Sequence, residues 1–165
     1  MPPSRQLADL EETLDSLYET IGEAQKRLAY ANDIFEKNAI KQRIRKEVSP
    51  EIRKYEAEYW ALLAKETYSY AVEEDEASSA IVEVKAQVLQ VIESQPSLND
   101  ELKQKLQAIL DKLNEPETPV AAKAMLALPL IPGILSYEVE LDTKNSLRRV
   151  FEPIKNLYKR ALEKK

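Results

Sequence analysis

A mainly α-helical protein is predicted: a long antiparallel helical hairpin of coiled-coil type, followed by a smaller helical module with one short β-strand or extended segment. Three observations carry this. Leu7, Leu10, Leu14, Leu17, Ile21, Ala24 and Leu28 recur at alternating steps of three and four, the a/d pattern of period 3.5 whose narrow apolar seam seeks another helix. Two glycines in 165 residues are too few for the turns of sandwiches and barrels or for Gly-rich phosphate loops. Hydrophobic residues at 44 % beside charged residues at 32 % allow a core under a heavily ionised surface.

The first helix is expected from Ser4, a cap after Pro2 and Pro3, to about Tyr30. Asn32-Asp33 is the expected turn. The returning arm carries Ile40, Ile44, Val48, Ile52, Tyr55, Tyr59, Leu62 and Leu63. Ser49-Pro50-Glu51 interrupts it, because proline removes a backbone donor and clashes with the preceding turn. The arm is therefore either kinked at Val48–Pro50 or made of two helices that meet there. Glu73-Glu74-Asp75-Glu76 breaks the apolar pattern and predicts a hinge, which divides the chain into a hairpin (1–72) and a C-terminal module (73–165).

In the module, Ile81, Val84, Val88, Val91 and Ile92 predict an arm over about Ala77–Ser94. Its valines leave a strand open, but the 3–4 spacing favours a helix. Ser97 with Asp100 is a capping-box pattern that opens a further helix through Leu113. Thr118-Pro119 starts a short Ala-rich one. The run LALPLIPGILSYEVELD (126–142) then breaks the helical pattern with Pro129, Pro132 and Gly133 and ends in alternation. Leu135, Tyr137, Val139 and Leu141 fall on one face and Ser136, Glu138 and Glu140 on the other, the period-2 signature of a half-buried strand. An extended segment over 129–142 is expected. It either pairs with a partner outside this chain or packs as a loop on the helices. Thr143 is a candidate cap for the last segment, which is amphipathic and basic, with Pro153 a kink or a fresh start.

There is no cysteine and no histidine, which excludes disulfide scaffolds, thiol nucleophiles, Cys/His zinc sites and His-based acid–base chemistry. Acidic clusters such as Glu11-Glu12 and Glu73–Glu76 fall off the apolar faces and read as solvated surface rather than as a metal site. No enzymatic activity, cofactor or metal is expected. The N-terminal MPPSRQLADLEE lacks an apolar signal core, and the most apolar stretch, Val120–Tyr137, carries Lys123, Pro129 and Pro132. A cytoplasmic location is expected.

Net charge is −5, with +6 in residues 143–165 and −11 in the remainder. The basic tail, with Arg148, Arg149, Lys155 and Lys159, has three readings: docking on the acidic body, contact with anionic lipid, or contact with nucleic-acid phosphate. No aromatic-interleaved basic groove accompanies it, so nucleic acid is not an expected partner. The candidate interaction residues are Leu10, Leu14, Leu17, Ile21, Ile52, Tyr55, Tyr59 and Leu62 on the seams, with Trp60 beside them. To these are added Leu135, Tyr137, Val139 and Leu141 and the four tail cations. Tyr and Trp are favoured at binding hot spots, although the same aromatic stripe also serves packing between hairpin and body.

The arm IKQRIRKEVSPEIRKYEAEYWALLAKE (40–66) resembles N-terminal helical modules of cyanobacterial multidomain signalling proteins, which accompany NACHT-type ATPase, caspase-like or TIR effector domains in immune and cell-death systems. The resemblance is carried by Arg43–Arg45, Ile52–Glu56 and Glu58–Leu63. The ending LPLIPGILSYEVELDTKNSLRRVFEPIKNLYKR (128–160) is similar to a tail of the same class at Pro132, Tyr137-Glu138, Glu140–Thr143 and the Pro-containing helix. The resemblance implies a stand-alone adaptor or an effector-associated module of a bacterial signalling or defence assembly, one that joins partners by like-with-like contacts. The expected partners are proteins, including a second copy of the chain, met through the coiled-coil seam and by strand or helix docking. The alternative is a peripheral membrane protein that uses 143–165.

Overall fold

The structure, a computed structural model, describes residues 5–67, 72–94, 100–135 and 146–163. It is mainly helical, with no strand among the described residues. α1 spans Arg5–Tyr30. The chain reverses at 31–33, where Asp33 caps α2 (Ile34–Arg43) by accepting a hydrogen bond from the Phe35 N–H at 3.0 Å. A π-helical turn, Ile44–Val48, leads without a break into α3 (Ser49–Thr67). Pro50 accounts for that turn. In a regular helix its ring would strike the carbonyl four residues back, that of Lys46. Widening the preceding turn, so that the Ser49 N–H bonds back to the Ile44 carbonyl, relieves the contact without ending the helix.

α4 spans Glu74–Ser94, α5 Asp100–Leu113 and α6 Val120–Ala127. The acidic run expected to be a hinge instead supplies the first turn of α4 through Glu74, Asp75 and Glu76, where the helix dipole favours negative charge. The extended segment expected over 129–142 is also corrected as far as it is described. Leu128–Leu130 form a 3₁₀ turn, and residues 131–135 are helical again (α7). Pro129 falls at the start of the 3₁₀ turn, where a missing N–H costs nothing. Pro132 would have donated to Leu128, whose carbonyl already accepts from the Ile131 N–H. Ser4, Pro96-Ser97, the alternating residues 136–142 and Thr143 lie outside the described residues. α8 (Ser146–Val150) and α9 (Glu152–Glu163) complete the chain, with Pro153 in the first turn of α9 as a fresh start.

α1 packs along α3, α3 also meets α9 and the 128–130 turn, and α4 is enclosed by α5, α6 and α9. One hydrophobic core runs through both sides of position 72. The buried stripe of α1 is Leu7, Leu10, Leu14, Tyr18 and Ile21, so the facing position is Tyr18 and Leu17 is only half-buried. Steps of 3, 4, 4 and 3 keep the mean spacing of 3.5 residues but set the second four-residue step one turn earlier, which brings Tyr18 rather than Leu17 to the seam. The stripe of α3 shifts likewise: Ile52, Glu56, Tyr59, Trp60, Leu63 and Thr67 are buried, while Tyr55 and Leu62 are half-buried.

α9 buries Ile154, Leu157, Tyr158 and Leu162 against the body. Each of the three aliphatic side chains among them contributes about 1.5–3 kcal/mol, whereas a partly exposed ion pair contributes about 0–1 kcal/mol. The apolar stripe, not the charge, holds the tail helix in place. No described helix is long and apolar enough to cross a membrane.

Candidate functional site

Three features stand out above the packed frame: a buried carboxyl at the junction of hairpin and tail, a polar cleft beside α4, and the bare end of the hairpin.

The junction centres on Glu56, which is 2 % exposed. Its position in α3, four residues after Ile52 and three before Tyr59, carries it into the interface with α1. There the Tyr18 hydroxyl donates to Oε1 at 3.0 Å and the Trp60 indole N–H donates to Oε2 at 2.8 Å. Burial pushes the carboxyl above its ordinary value, and the two donors and the nearby Arg148 and Lys155 oppose that without reversing it. The Trp60 ring stands edge-on to Tyr59, with centroids 5.8 Å apart.

The tail closes over this pair. Arg148 lies 4.2 Å above the Tyr18 ring, and its Nη2 donates to Asp15 at 2.9 Å. Lys159 donates to Glu11 at 2.9 Å, Lys155 reaches the same carboxylate at 3.2 Å, and Lys155 also sits 5.3 Å over the Tyr59 ring. Burial works to raise the Glu11 carboxyl, but the hydrogen bond from Lys159 and the charge of Lys155 bring it below its ordinary value. Burial, then the charges of Glu11 and Glu56, push the Tyr59 hydroxyl up. The free space beside Glu56, bounded by Leu14, Leu135, Arg148 and Phe151, is about 10 Å³. That is one water at most. The carboxyl ties α3 to α1 through the Tyr18 hydroxyl, and the tail lies over the pair.

The cleft beside α4 is larger, about 560 Å³, and runs between Asp75, Glu76 and Glu83 on one wall and Arg149, Glu152 and Arg160 on the other. Its volume suits a small molecule, but its walls are charged, unlike the mostly apolar lining of a typical ligand site. Among the described residues no group of three or more His, Cys, Asp or Glu is placed to hold a metal.

The hairpin end differs from both. Neither α2 nor the π turn buries a residue, and between residues 22 and 48 only Ala31 is buried. Tyr30, Ile34 and Phe35 are 84 %, 65 % and 79 % exposed around the turn. Behind them a groove of about 210 Å³ separates the arms, lined by Ala24 and Arg27 on α1 and Ile40, Ile44 and Val48 opposite.

Set against these features, the residues expected to meet partners divide sharply. Leu10, Leu14, Ile21, Ile52, Tyr59, Trp60 and Leu135 are buried in the chain's own core, and Leu17, Tyr55 and Leu62 pack on it half-buried. Arg148, Lys155 and Lys159 engage α1, and Arg149 faces the polar cleft. Tyr137, Val139 and Leu141 lie outside the described residues. Glu56 and Tyr18 went unread in the sequence, as did the exposed trio at the turn. The spacing 52–56–59–63 carried the signal for Glu56, with a Glu–Trp pair four residues apart. No family model matches the chain, and no curated protein or solved structure matches it either.

Proposed function

We propose that the chain is a non-enzymatic docking module, an adaptor whose contact surface is the distal end of the hairpin. The observation that carries this is the burial of a single residue, Ala31, between positions 22 and 48, beside two aromatic side chains and one branched aliphatic at the turn that are left largely in water. Single exposed apolar residues are ordinary on a surface, but a cluster at the apex of a protruding element marks an interaction site. The likeness of residues 40–66 to effector-associated modules agrees with such a role in a bacterial signalling assembly.

The seam residues are poorer candidates, since their apolar surface is already used inside the chain. Lipid contact through the tail also has less support, because the apolar stripe of α9 is covered and three of its cations meet carboxylates of α1 or its aromatic partners.

A photo-cross-linking residue tests the reading. Placed at position 35 in the full chain inside cells, it gives discrete adducts, while the same residue at position 89, exposed on α4, gives none. Equal patterns from the two positions would exclude a protein as the surface that this end meets.

A further inference from the structure

The geometry points to an anionic lipid bilayer as the surface that the hairpin end docks on. This rests on the reading of that end as the contact surface, and adds what it contacts.

The apex is the turn between two helices. From Gly22 to Tyr30 α1 advances about 13 Å without burying a side chain, and the chain reverses at 31–33 with Tyr30, Ile34 and Phe35 around the turn. Aromatic and branched side chains at the tip of a projection enter the headgroup boundary readily, whereas a protein partner for them would have to offer a matching cavity. Charge selects the same surface. Residues 22–48 hold seven Lys/Arg and four Asp/Glu, a net +3, so the remainder of the chain carries −8. Asp33 and Glu36 are the acids nearest the apex, and Asp33 is engaged as the cap of α2. Lys26, Arg27, Lys37 and Lys41 stand exposed within two or three turns of it. A molecule so polarised approaches a negative membrane end-on, its tip attracted and its body repelled. The same polarity disfavours a second copy meeting it tip to tip, since two positive ends would be brought together.

The test is co-sedimentation of the full chain with vesicles of phosphatidylcholine alone and with about 30 mol % phosphatidylglycerol added, an anionic surface of the cytoplasmic-leaflet kind. Binding is expected only to the anionic vesicles, weakening about tenfold or more between about 50 and 300 mM NaCl as screening shortens. The Tyr30→Ser/Phe35→Ser variant is expected to lose about tenfold, and so is Lys37→Glu/Lys41→Glu, each with unchanged circular dichroism and melting. Absence of binding overturns the inference. So does binding that the serine variant retains, because then charge alone is read. A concentration-dependent dimer that the serine variant abolishes, with vesicles unbound, overturns it in favour of self-association. Protein adducts from position 35 without vesicle binding leave the docking reading standing and remove the lipid. No adducts and no vesicle binding remove both.

Discussion

The proximal and distal halves of the hairpin are made of the same two arms, and they end in opposite conditions. Near residues 7–21 and 49–67 each arm buries an unbroken stripe, including an ionisable group. Between 22 and 48 the arms still touch each other, yet only Ala31 is buried. The difference lies in the number of neighbours. α9 and the 128–130 turn pack on α3, and the charges of α8 and α9 reach α1, whereas among the described residues α2 and the π turn pack on α1, α3 and each other. Two helices side by side can cover only a narrow seam of one another, and a broad apolar face needs more. An apolar repeat therefore states which face a helix would bury, and the number of neighbours decides whether it is buried.

The largest test of this contrast is Glu56→Leu. It leaves the Tyr18 hydroxyl and the Trp60 N–H facing an apolar side chain, at about 1–3 kcal/mol each. A loss of about 2–6 kcal/mol is expected in urea unfolding, much of it recovered when Tyr18→Phe and Trp60→Phe are added. Glu56→Gln should cost only about 1 kcal/mol, since its carbonyl can accept from Trp60 while its amide donates to the rotatable Tyr18 hydroxyl.

A smaller effect appears in the pH dependence of stability. The folded state raises the Glu56 carboxyl above its ordinary value of 4.5, so above pH 4.5 the folded chain holds the proton longer and stability falls as pH rises through that window. Glu11 is lowered, so its contribution is present above pH 4.5 and is lost as pH falls below it. Thermal melts across pH 3–8 should show the decline flattened in Glu56→Gln and the acid-side loss flattened in Glu11→Gln, each affecting its own side only.

The smallest effect is expected at the other end. Tyr30→Ser and Phe35→Ser should alter unfolding free energy by no more than about 0.5 kcal/mol, because those rings leave little contact behind. A larger loss at position 30 or 35 would mean the end is packed after all, and the contrast between the halves would collapse.

The helical class was legible because glycine is scarce and the 3–4 spacing is long, and the turn at Asp33, the disturbance at Pro50 and the restart at Pro153 followed from local chemistry. The prolines of 128–135 misled, because a proline in a first turn and one in a chain break look alike until the carbonyl that each would have met is known. Glu56 was hidden by its charge: a core stripe is sought among apolar residues, and this one has a carboxylate in its middle. The bare hairpin end was invisible for another reason. Tyr30, Ile34 and Phe35 differ in exposure, not in type, from side chains that are buried elsewhere, and exposure depends on whether a third helix passes by.

The π turn carries one more meaning, which concerns rotation. Ile40, Ile44, Val48, Ile52 and Glu56 follow one another at steps of four, and each such step overshoots a full helical revolution by about 40°. From Ile40 to Ile52 the excess is about 120°, enough to swing the first of them off the side that faces α1. One surplus residue in a widened turn takes back about 100°, and so Ile40, Ile44 and Val48 all line the groove against α1 while Ile52 and Glu56 still enter the core. The widened turn works as a vernier between the two halves of the arm: it sets the angle at which the end of the hairpin is presented, independently of how the other end is fastened.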